Sequence, residues 1–440
     1  MIEMKKIFEY VLIISMISSI YACNNEIVPD NEGEQSEYEE TNQPPKAIDL
    51  TLRQTEIVNA GNYFAFNIFK EVSAVAKETN SFFSPLSLNF ALGMLYNGST
   101  GDTRTEMARV LGMAGFTDLE INEYYQKMIQ ALMEIDPLTE IGIANSIWYR
   151  DGLVVKQPFI DLNTDYFDAE VHALNFNGPD AVKIINAWCA EKTNDRITKI
   201  VDDPLGEVIM SLINALYFKS KWEFKFDKAN TQSDDFTKAD NQKVKVNMME
   251  QTKVFSYFSN KHLQCVELPY GYDSSIEHGV TYAQKRESSG FSMIVILPAD
   301  DTGIDGLIDY MDETVWQNIV ENLYYDNVNL RLPRYKIECT MQLNEPVKNV
   351  GMQQIFQGGF DNISDISLPV SDILQKTFVE VNEDGTEAAA ITITDIVTSD
   401  GDSPPPPPVS FFANRPFLYI IKERSTGAIL FIGRMDEPKE

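Results

Sequence analysis

Histidine and cysteine are scarce in this chain, which has three histidines and four cysteines in 440 residues. The sequence has no His-Glu-x-x-His, P-loop or Gly-x-Ser-x-Gly pattern. His262 precedes Cys265 by three residues, but an exposed histidine at a strand edge and a buried cysteine explain this spacing more simply than a metal or nucleophile pair. We therefore expect neither enzyme activity nor a cofactor or metal.

The cysteines also lack the pattern of a disulfide framework. Cys189, Cys265 and Cys339 are isolated from one another, and none lies in a Cys-x-x-Cys spacing. Apart from Cys23 near the N-terminus, their number is odd, which argues against a set of paired bridges even in an oxidising compartment.

Positive charge is in short supply as well. The chain has 36 Lys and Arg against 66 Asp and Glu, a formal net charge of -30. Nucleic acids and anionic membrane surfaces need clustered basic residues, so neither is expected as an electrostatic partner. An acidic surface would instead attract cationic proteins.

The N-terminus contains a short apolar run rather than a membrane-spanning one. Lys5 and Lys6 precede the run Val11 to Ile20, which is too short to span a bilayer and fits the core of a signal peptide. Ala22-Cys23 then resembles the lipobox of bacterial lipoproteins, although Tyr21 is bulkier than usual. We expect residues 1–22 to be a signal, Cys23 to be lipidated, and the protein to be an exported cell-envelope lipoprotein, surface exposed or facing the periplasm. A plain secretory signal with an unmodified cysteine is the alternative.

Residues 23–49 are predicted to form an acidic disordered tether. This stretch is polar, carries many Glu and Asp and almost no large apolar residues, and ends near Pro44-Pro45. Such a composition cannot bury enough apolar surface to order itself, so we expect it to hold a globular body of residues 50–440 away from a membrane.

Periodicity in that body predicts an α+β fold. Phe64, Ile68 and Val72 repeat at helical spacing, and Leu86–Tyr96 is typical of a buried helix that begins near Ser84-Pro85. Strand patterns become denser toward the C-terminus. They occur at 141–149, 244–248, 291–297, 328–332, 417–421 and 429–432.

The segment after Gly385 suits two environments. It runs from Thr386 to Asp400 without proline or glycine, so nothing in it forbids a central strand. One alternating set of side chains is small or β-branched and uncharged, whereas the other contains Glu387 and Asp395. The same composition also fits an exposed loop, an ordinary hairpin strand, or a helix that begins at Thr386.

Several motifs, taken in order, resemble the serpin family from about Leu50 to Asp436. The segment 380–390 resembles the family's hinge almost residue for residue, and Asn214, Tyr217, Phe218, Lys219 and Trp222 resemble its Asn-x-x-Tyr-Phe-Lys-x-x-Trp strand. Further matches occur at Phe83-Ser84-Pro85-Leu86-Ser87, Asn186 to Ile197, Leu332-Pro333-Arg334-Tyr335, Gly351-Met352, Arg415-Pro416-Phe417 and 426–434.

This resemblance implies a single domain with three β-sheets, about eight or nine helices and an exposed reactive-centre loop at about 383–414. It implies a monomer that traps a serine, possibly a cysteine, protease covalently as a suicide substrate by inserting its cleaved loop into a sheet. The implied hinge residues are Glu383, Gly385, Thr386, Glu387, Ala388, Ala389 and Ala390. The implied breach and shutter residues, which flank the site of sheet opening, are Trp222, Asn214, Ser84, Ser87 and Gln375.

The family's spacing from hinge to cleavage site places the scissile bond at Ser399-Asp400, with Thr398 as the nearest alternative residue. A small residue after Val397-Thr398 suits proteases with small primary pockets, of the elastase or subtilisin kind. A shift of one residue would place Asp400 before the bond and favour an Asp-directed protease.

Three departures from the family pattern stand out. Gln375 occupies a position where the family usually has histidine, and glutamine can still donate and accept hydrogen bonds, so we expect altered gating of the sheet. The segment from Ser399 to Pro416 is longer than usual and contains Pro404–Pro408, which are expected to stay outside the sheet after cleavage. A polar insertion between Tyr270 and Phe291 is predicted to be a surface loop.

Two other functions remain open at this stage. A non-inhibitory serpin-like surface protein would bind a glycan or peptide, and its stability would not change on loop cleavage. A hydrolytic enzyme has only isolated His and Ser residues in its favour.

Overall fold

The computed structural model describes residues 44–76, 80–202, 206, 208–271, 290–366, 368–386 and 406–440. The chain divides into two units at residues 41 and 42, and everything described belongs to the second. No helix in the described part is long and apolar enough to cross a membrane.

Nine α-helices lie within the described ranges, most of them in the first half. They are α1 (Leu52–Val75), α2 (Pro85–Gly98), α3 (Gly101–Val110), α4 (Asp118–Glu134), α5 (Gln157–Phe167), α6 (Ala181–Lys192), α7 (Gly303–Tyr310), α8 (Glu313–Asn322) and α9 (Asn344–Asn349). Short 3-10 turns occur at Lys228–Asn230 and Gln354–Phe356.

Fifteen strands are described. They are β1 (Ser81–Phe83), β2 (Thr139–Arg150), β3 (Glu170–Leu174), β4 (Met210–Lys221), β5 (Gln232–Thr237), β6 (Lys243–Ser259), β7 (Leu263–Pro269), β8 (Phe291–Pro298), β9 (Tyr324–Pro333), β10 (Tyr335–Gln342), β11 (Asp372–Val381), β12 (Gly385–Thr386), β13 (Val409–Phe412), β14 (Phe417–Glu423) and β15 (Ile429–Met435).

The predicted helices α1 and α2 both begin with a side-chain cap. Thr51 caps α1 in a capping box with Gln54, and the Ser84 hydroxyl accepts the Ser87 amide at the start of α2, where Pro85 occupies the first turn. Both caps satisfy amide groups that a helix start leaves free. Every residue of α2 is buried, because this helix contacts strands of both sheets.

The strands form two sheets. The larger has the order β1-β15-β14-β8-β7-β6-β9-β13, with β5 beside β6, and the smaller has the order β10-β11-β4-β2-β3, with β12 beside β4. The long strand β6 pairs with β9 along one part and with β7 along another. Strand β6 therefore joins two of the three expected sheets into one continuous sheet. The predicted α+β class is confirmed.

One junction in the smaller sheet positions the site described below. Strands β4 and β11 run parallel and pair from Ser211↔Asp372 to Tyr217↔Phe378. We call this junction the seam. Helix α2 packs against β4 on one face, and α6 covers the other face through a cluster that includes Trp188, Ile213 and Ala215.

Two predicted boundaries shift. Packing begins before residue 50, because Ile48 is buried and the Lys46 amide donates to the Ile135 carbonyl. The loop predicted to reach about 414 ends earlier, because Val409–Phe412 pair with β9 as β13. A parallel partner strand was available there, which the loop's own composition did not reveal. Pro406–Pro408 are exposed and outside any strand, and their exclusion from the sheet after cleavage stays a prediction.

Candidate functional site

The chain reverses direction between β11 and β12 in a tight turn. The Asn382 amide donates to the Gly385 carbonyl at 2.9 Å, and the Asp384 amide donates to the Asn382 side-chain oxygen at 3.0 Å. Gly385 has a φ of 140°, and a Cβ there would lie 2.3 Å from the Ser220 carbonyl oxygen. Only glycine allows the chain to approach β4 this closely.

Two ion pairs hold this turn, and we call them the hinge latch. The Glu383 side chain, only 2% exposed, accepts hydrogen bonds from Arg334 Nε at 2.8 Å and from Arg334 Nη2. The Thr231 hydroxyl donates to the same carboxylate, and Lys228 Nζ lies 2.9 Å from Asp384. Burial alone would raise the pKa of Glu383, but the hydrogen bonds from Arg334 and Thr231 lower it below its usual value.

Trp222 binds the backbone of the same turn. Its indole Nε1 donates to the Asn382 carbonyl at 2.9 Å, and its amide donates to the Asp384 carbonyl at 3.1 Å. The ring stacks on Tyr270 with centroids 4.4 Å apart. The turn is therefore fixed through both its side chains and its carbonyls.

The end of the turn enters the seam. β11 and β4 stop pairing at Phe378 and Tyr217. Past this point Gly385 and Thr386 pair antiparallel with Lys221 and Ser220 on the edge of β4. The first residues of the predicted loop thus occupy the place that a new central strand would take.

A polar cluster fastens the seam lower down. Gln375 Oε1 accepts the Ser84 amide at 2.8 Å, and its Nε2 donates to the Ser84 carbonyl at 2.9 Å and to Asn214 Oδ1 at 3.1 Å. Asn214 donates to the Ser87 hydroxyl and to Asn145 Oδ1. One network therefore connects β11, β4, β2 and the start of α2, and Gln375 satisfies three polar groups in it.

The structure thus brings Trp222, Glu383 and Gly385 together at the mouth of the seam. It also brings Ser84, Ser87, Asn214 and Gln375 together beneath it. Other predicted site residues lie outside the described residues, namely Cys23, Glu387, Ala388, Ala389, Ala390, Thr398, Ser399 and Asp400.

Sequence reasoning missed the partners of the hinge. Arg334, Thr231 and Lys228 are far from Glu383 and Asp384 along the chain, and isolated charges of this kind are usually taken for solvated surface. One signal was available, namely the acidic pair Glu383-Asp384 directly after a strand that had to be buried. A buried carboxylate requires a cation or several hydrogen-bond donors, so this pair indicated that basic partners lie nearby.

Cysteines and potential metal ligands are the other candidate groups in the described part of the chain. This part contains no group of three or more metal-ligating side chains, and Cys189, Cys265 and Cys339 are free. Cys265 is buried in β7, and burial raises the pKa of its thiol, while the ring of His262 lies against Tyr310. The raised pKa disfavours the thiolate, which is the reactive form of a cysteine.

Comparison with known proteins agrees with this architecture. The family model described as serpin (serine protease inhibitor) matches residues 59–438. A serpin-like protein of Thermococcus kodakarensis is 31% identical over 394 residues, covering 88% of this chain and 87% of that protein. Human serpin B3 is 30% identical over 410 residues, covering 86% and 98%.

Solved structures show the same fold. The native state of tengpin, a thermophilic serpin, superposes with a TM-score of 0.77 at 28% identity, covering 90% of this chain and 97% of that one. Human thyroxine-binding globulin in complex with its ligand also gives a TM-score of 0.77 at 24% identity, covering 88% and 100%. Because the serpin family model matches most of the length of this chain, the chain belongs to the serpin family of serine protease inhibitors.

Proposed function

We propose that this protein inhibits a serine protease as a suicide substrate, by inserting its cleaved loop into the seam between β4 and β11. The observation that carries the proposal is the position of β12. Gly385 and Thr386 already pair with β4 where β11 diverges from it, so continued insertion would extend an existing ladder while β4 and β11 separate below Tyr217.

The register of β12 supports the proposal further. In this antiparallel ladder Gly385 pairs with Lys221 and Thr386 pairs with Ser220, so each further residue of the loop would pair with the preceding residue of β4. Continued in this register, residues 385–396 would span all of β4 down to Met210. The even-numbered positions, which carry Ala388, Ala390, Thr392, Thr394 and Ile396, would then face the same side as Leu212 and Leu216, toward the main core.

The odd-numbered positions find suitable partners on the other face. Glu387 would lie opposite Lys219, and Asp395 opposite Ser211. The Ser211 hydroxyl is buried and has no hydrogen-bond partner among the described residues, so an acceptor placed there would satisfy it. The two acids that argued against burial of this segment therefore do not oppose insertion.

Insertion would release enough free energy to drive the trapping step. One existing ladder at the seam is exchanged for two, so about a dozen residues gain hydrogen bonds worth about 1 kcal/mol each. That sum rivals the whole stability of an ordinary domain, about 5 to 15 kcal/mol.

In the chemical step the protease serine oxygen attacks the Ser399 carbonyl carbon. An ester bond forms, the Ser399-Asp400 peptide bond breaks, and the new amine of Asp400 leaves with the proton delivered by the protease histidine. Catalysis belongs entirely to the protease. Loop insertion then displaces the protease before water cleaves the ester.

Incubation with an elastase-like or a subtilisin-like protease tests the proposal. The expected product is a complex of the two proteins that survives denaturing electrophoresis, together with a released C-terminal fragment that begins at Asp400 by mass spectrometry. Cleavage of the loop without any stable complex, across a panel of such proteases, would refute the inhibitory mechanism. A fragment beginning at Ser399 would move the scissile bond to Thr398-Ser399.

We further propose that the protein acts as a monomer displayed on the cell envelope through lipid on Cys23. The support is the apolar run followed by Ala22-Cys23 and the acidic stretch after it. Expression in a bacterium should give a membrane-bound product whose Cys23→Ser variant is released in soluble form. Equal release of both forms would favour a plain secretory signal.

A further inference from the structure

A cleft of about 450 Å³ lies between the first turns of α4 and α5, away from the hinge and from the polar cluster at the seam. Its walls include Phe159, Leu162 and Tyr166 from α5, and Leu119 from α4. The volume falls within the range of sites that hold small organic ligands.

An exposed apolar side chain lies on the wall of this cleft. Leu119 is 56% exposed, and Leu162 and Tyr166 in the same lining are half-buried. A large apolar side chain left exposed at a concave site offers a surface that an apolar ligand can cover.

The floor of the cleft carries amide groups with unused hydrogen-bonding capacity. Asn97 and Asn122 are both buried and donate to each other at 3.0 and 3.2 Å. This reciprocal pair uses one N–H and one oxygen lone pair of each side chain, and each amide has a second of both. A ligand with its own amide group matches this floor.

A cation lies at the mouth. Lys156 Nζ is 2.7 Å from Asp365 and donates to the Asp361 carbonyl at 2.8 Å. The Asp365 side chain is 90% exposed, so this ion pair is weak, and the carboxylate of a ligand can replace it. The other rim acid, Asp118, is bound by Arg104 and does not compete for Lys156.

We propose that this cleft binds a short apolar peptide with a free C-terminal carboxylate. The apolar side chains of the ligand lie against Phe159 and Leu162, its peptide group bonds to the Asn97–Asn122 pair, and its carboxylate binds Lys156. The site goes beyond loop insertion, because no hinge or seam residue contributes to its lining.

Titration calorimetry of the full-length protein with N-acetyl-leucyl-phenylalanine tests the proposal. A dissociation constant of about 1 mM or lower is expected. The C-terminal carboxamide of the same peptide should bind about tenfold more weakly, because it loses the charge-assisted bond to Lys156. The Lys156→Met variant should bind acid and amide equally, whereas Lys183→Met on the exposed face of α6 should behave as the wild type.

A second pair of variants separates binding from folding. Leu119→Glu adds a like charge at the rim and should abolish binding of the acid, while Val75→Glu makes the same change at an exposed position of α1 and should not. Methyl resonances of Leu119 and Leu162 should shift on titration in the wild type. Absence of saturable binding up to about 10 mM, equal affinity for acid and amide in the wild type, or binding unchanged in Leu119→Glu overturns the proposal.

Discussion

Glu383 shows how strongly a single side chain can depend on residues that are distant in sequence. Its carboxylate is buried at the mouth of the seam and is bound by Arg334 and Thr231. Removing its charge takes away the charge-assisted part of the hydrogen bonds from the guanidinium in a partly buried site, so the cost exceeds that of a surface ion pair.

Glu383→Gln should therefore lower the free energy of unfolding by about 2 kcal/mol at pH 7, measured by urea denaturation. Glu380→Gln is the matched control on the same strand, because Glu380 lies 3.8 Å from Lys336 and its side chain is 32% exposed. The control should change stability by less than about 0.5 kcal/mol. Equal effects of the two substitutions would contradict a specific role of the latch.

Asp136 is a buried acid whose pKa shifts in the opposite direction from that of Glu383. It accepts the Leu138 amide and the Thr139 hydroxyl, and burial raises its pKa despite these bonds. A carboxyl whose pKa is raised on folding favours the protonated state, so the stability it contributes is lost as the pH rises through the folded pKa. Glu383, with a lowered pKa, contributes stability that is lost as the pH falls.

Asp136→Asn should accordingly raise the melting temperature at pH 7, because the neutral amide removes the cost of burying a charge. The gain should shrink as the pH falls through the raised pKa and vanish below about 3.9, the ordinary value of aspartate. Thermal unfolding of both proteins across this range measures the effect. A gain that does not depend on pH would point to packing rather than to charge.

At the scale of single elements, the side-chain amide of Gln375 connects β11 to β4 by a hydrogen bond to Asn214. The family usually has a histidine at this position. Gln375 accepts one backbone amide and donates two hydrogen bonds, and it does not titrate. The polar cluster at the seam is therefore expected to keep its hydrogen bonds unchanged between pH 5 and 8.

Gln375→His should make this seam sensitive to pH. A neutral imidazole can accept from Ser84 and donate through its other nitrogen, but an imidazolium has no acceptor and buries a charge. The folded state lowers the pKa of such a histidine, so its stabilising contribution should be lost as the pH falls below about 6.5. Melting temperatures at pH 7.5 and 5.5 should diverge more in the variant than in the wild type, and parallel curves would argue against the assigned hydrogen bonds.

The hinge strand β12 tests the proposed direction of insertion. Position 386 is paired with the buried residue Ser220, so a charge there would be carried onto the core-facing side of the sheet. Thr386→Arg should convert the inhibitor into a substrate that is cleaved without forming a stable complex. Glu387→Gln, which continued pairing in this register would place on the opposite face, should inhibit normally. Undiminished complex formation by Thr386→Arg would overturn the register.

For the molecule as a whole, the proposed mechanism predicts that cleavage of the loop stabilises the folded protein. About a dozen added hydrogen bonds at about 1 kcal/mol each should raise the melting temperature by about 10 °C or more in a chain of this size. Calorimetry before and after limited proteolysis of the loop measures this. An unchanged melting temperature would instead support a serpin-like protein that binds a ligand without inhibiting a protease.

The hinge illustrates how far sequence reasoning reached. The alternation between small uncharged and acid-bearing positions after Gly385 predicted a strand with one buriable face, and the observed pairing of Gly385 and Thr386 with β4 is consistent with it. The end of the loop was placed too late, because β13 is a strand only by virtue of its parallel partner β9. Pairing of that kind depends on another segment and leaves little trace in local composition.

The sequence by itself determined the α+β fold and the main helices and strands, which follow from local periodicity and from helix caps. The residues of the hinge and of the polar cluster at the seam were identified through motifs that resemble the serpin family. Only the tertiary structure decided that Arg334, Thr231 and Lys228 hold the hinge, that Gln375 bridges Ser84 and Asn214, and that a cleft opens between α4 and α5. Such contacts join segments tens to hundreds of residues apart, so their geometry is set by how sheets and helices pack and not by the order of neighbouring residues.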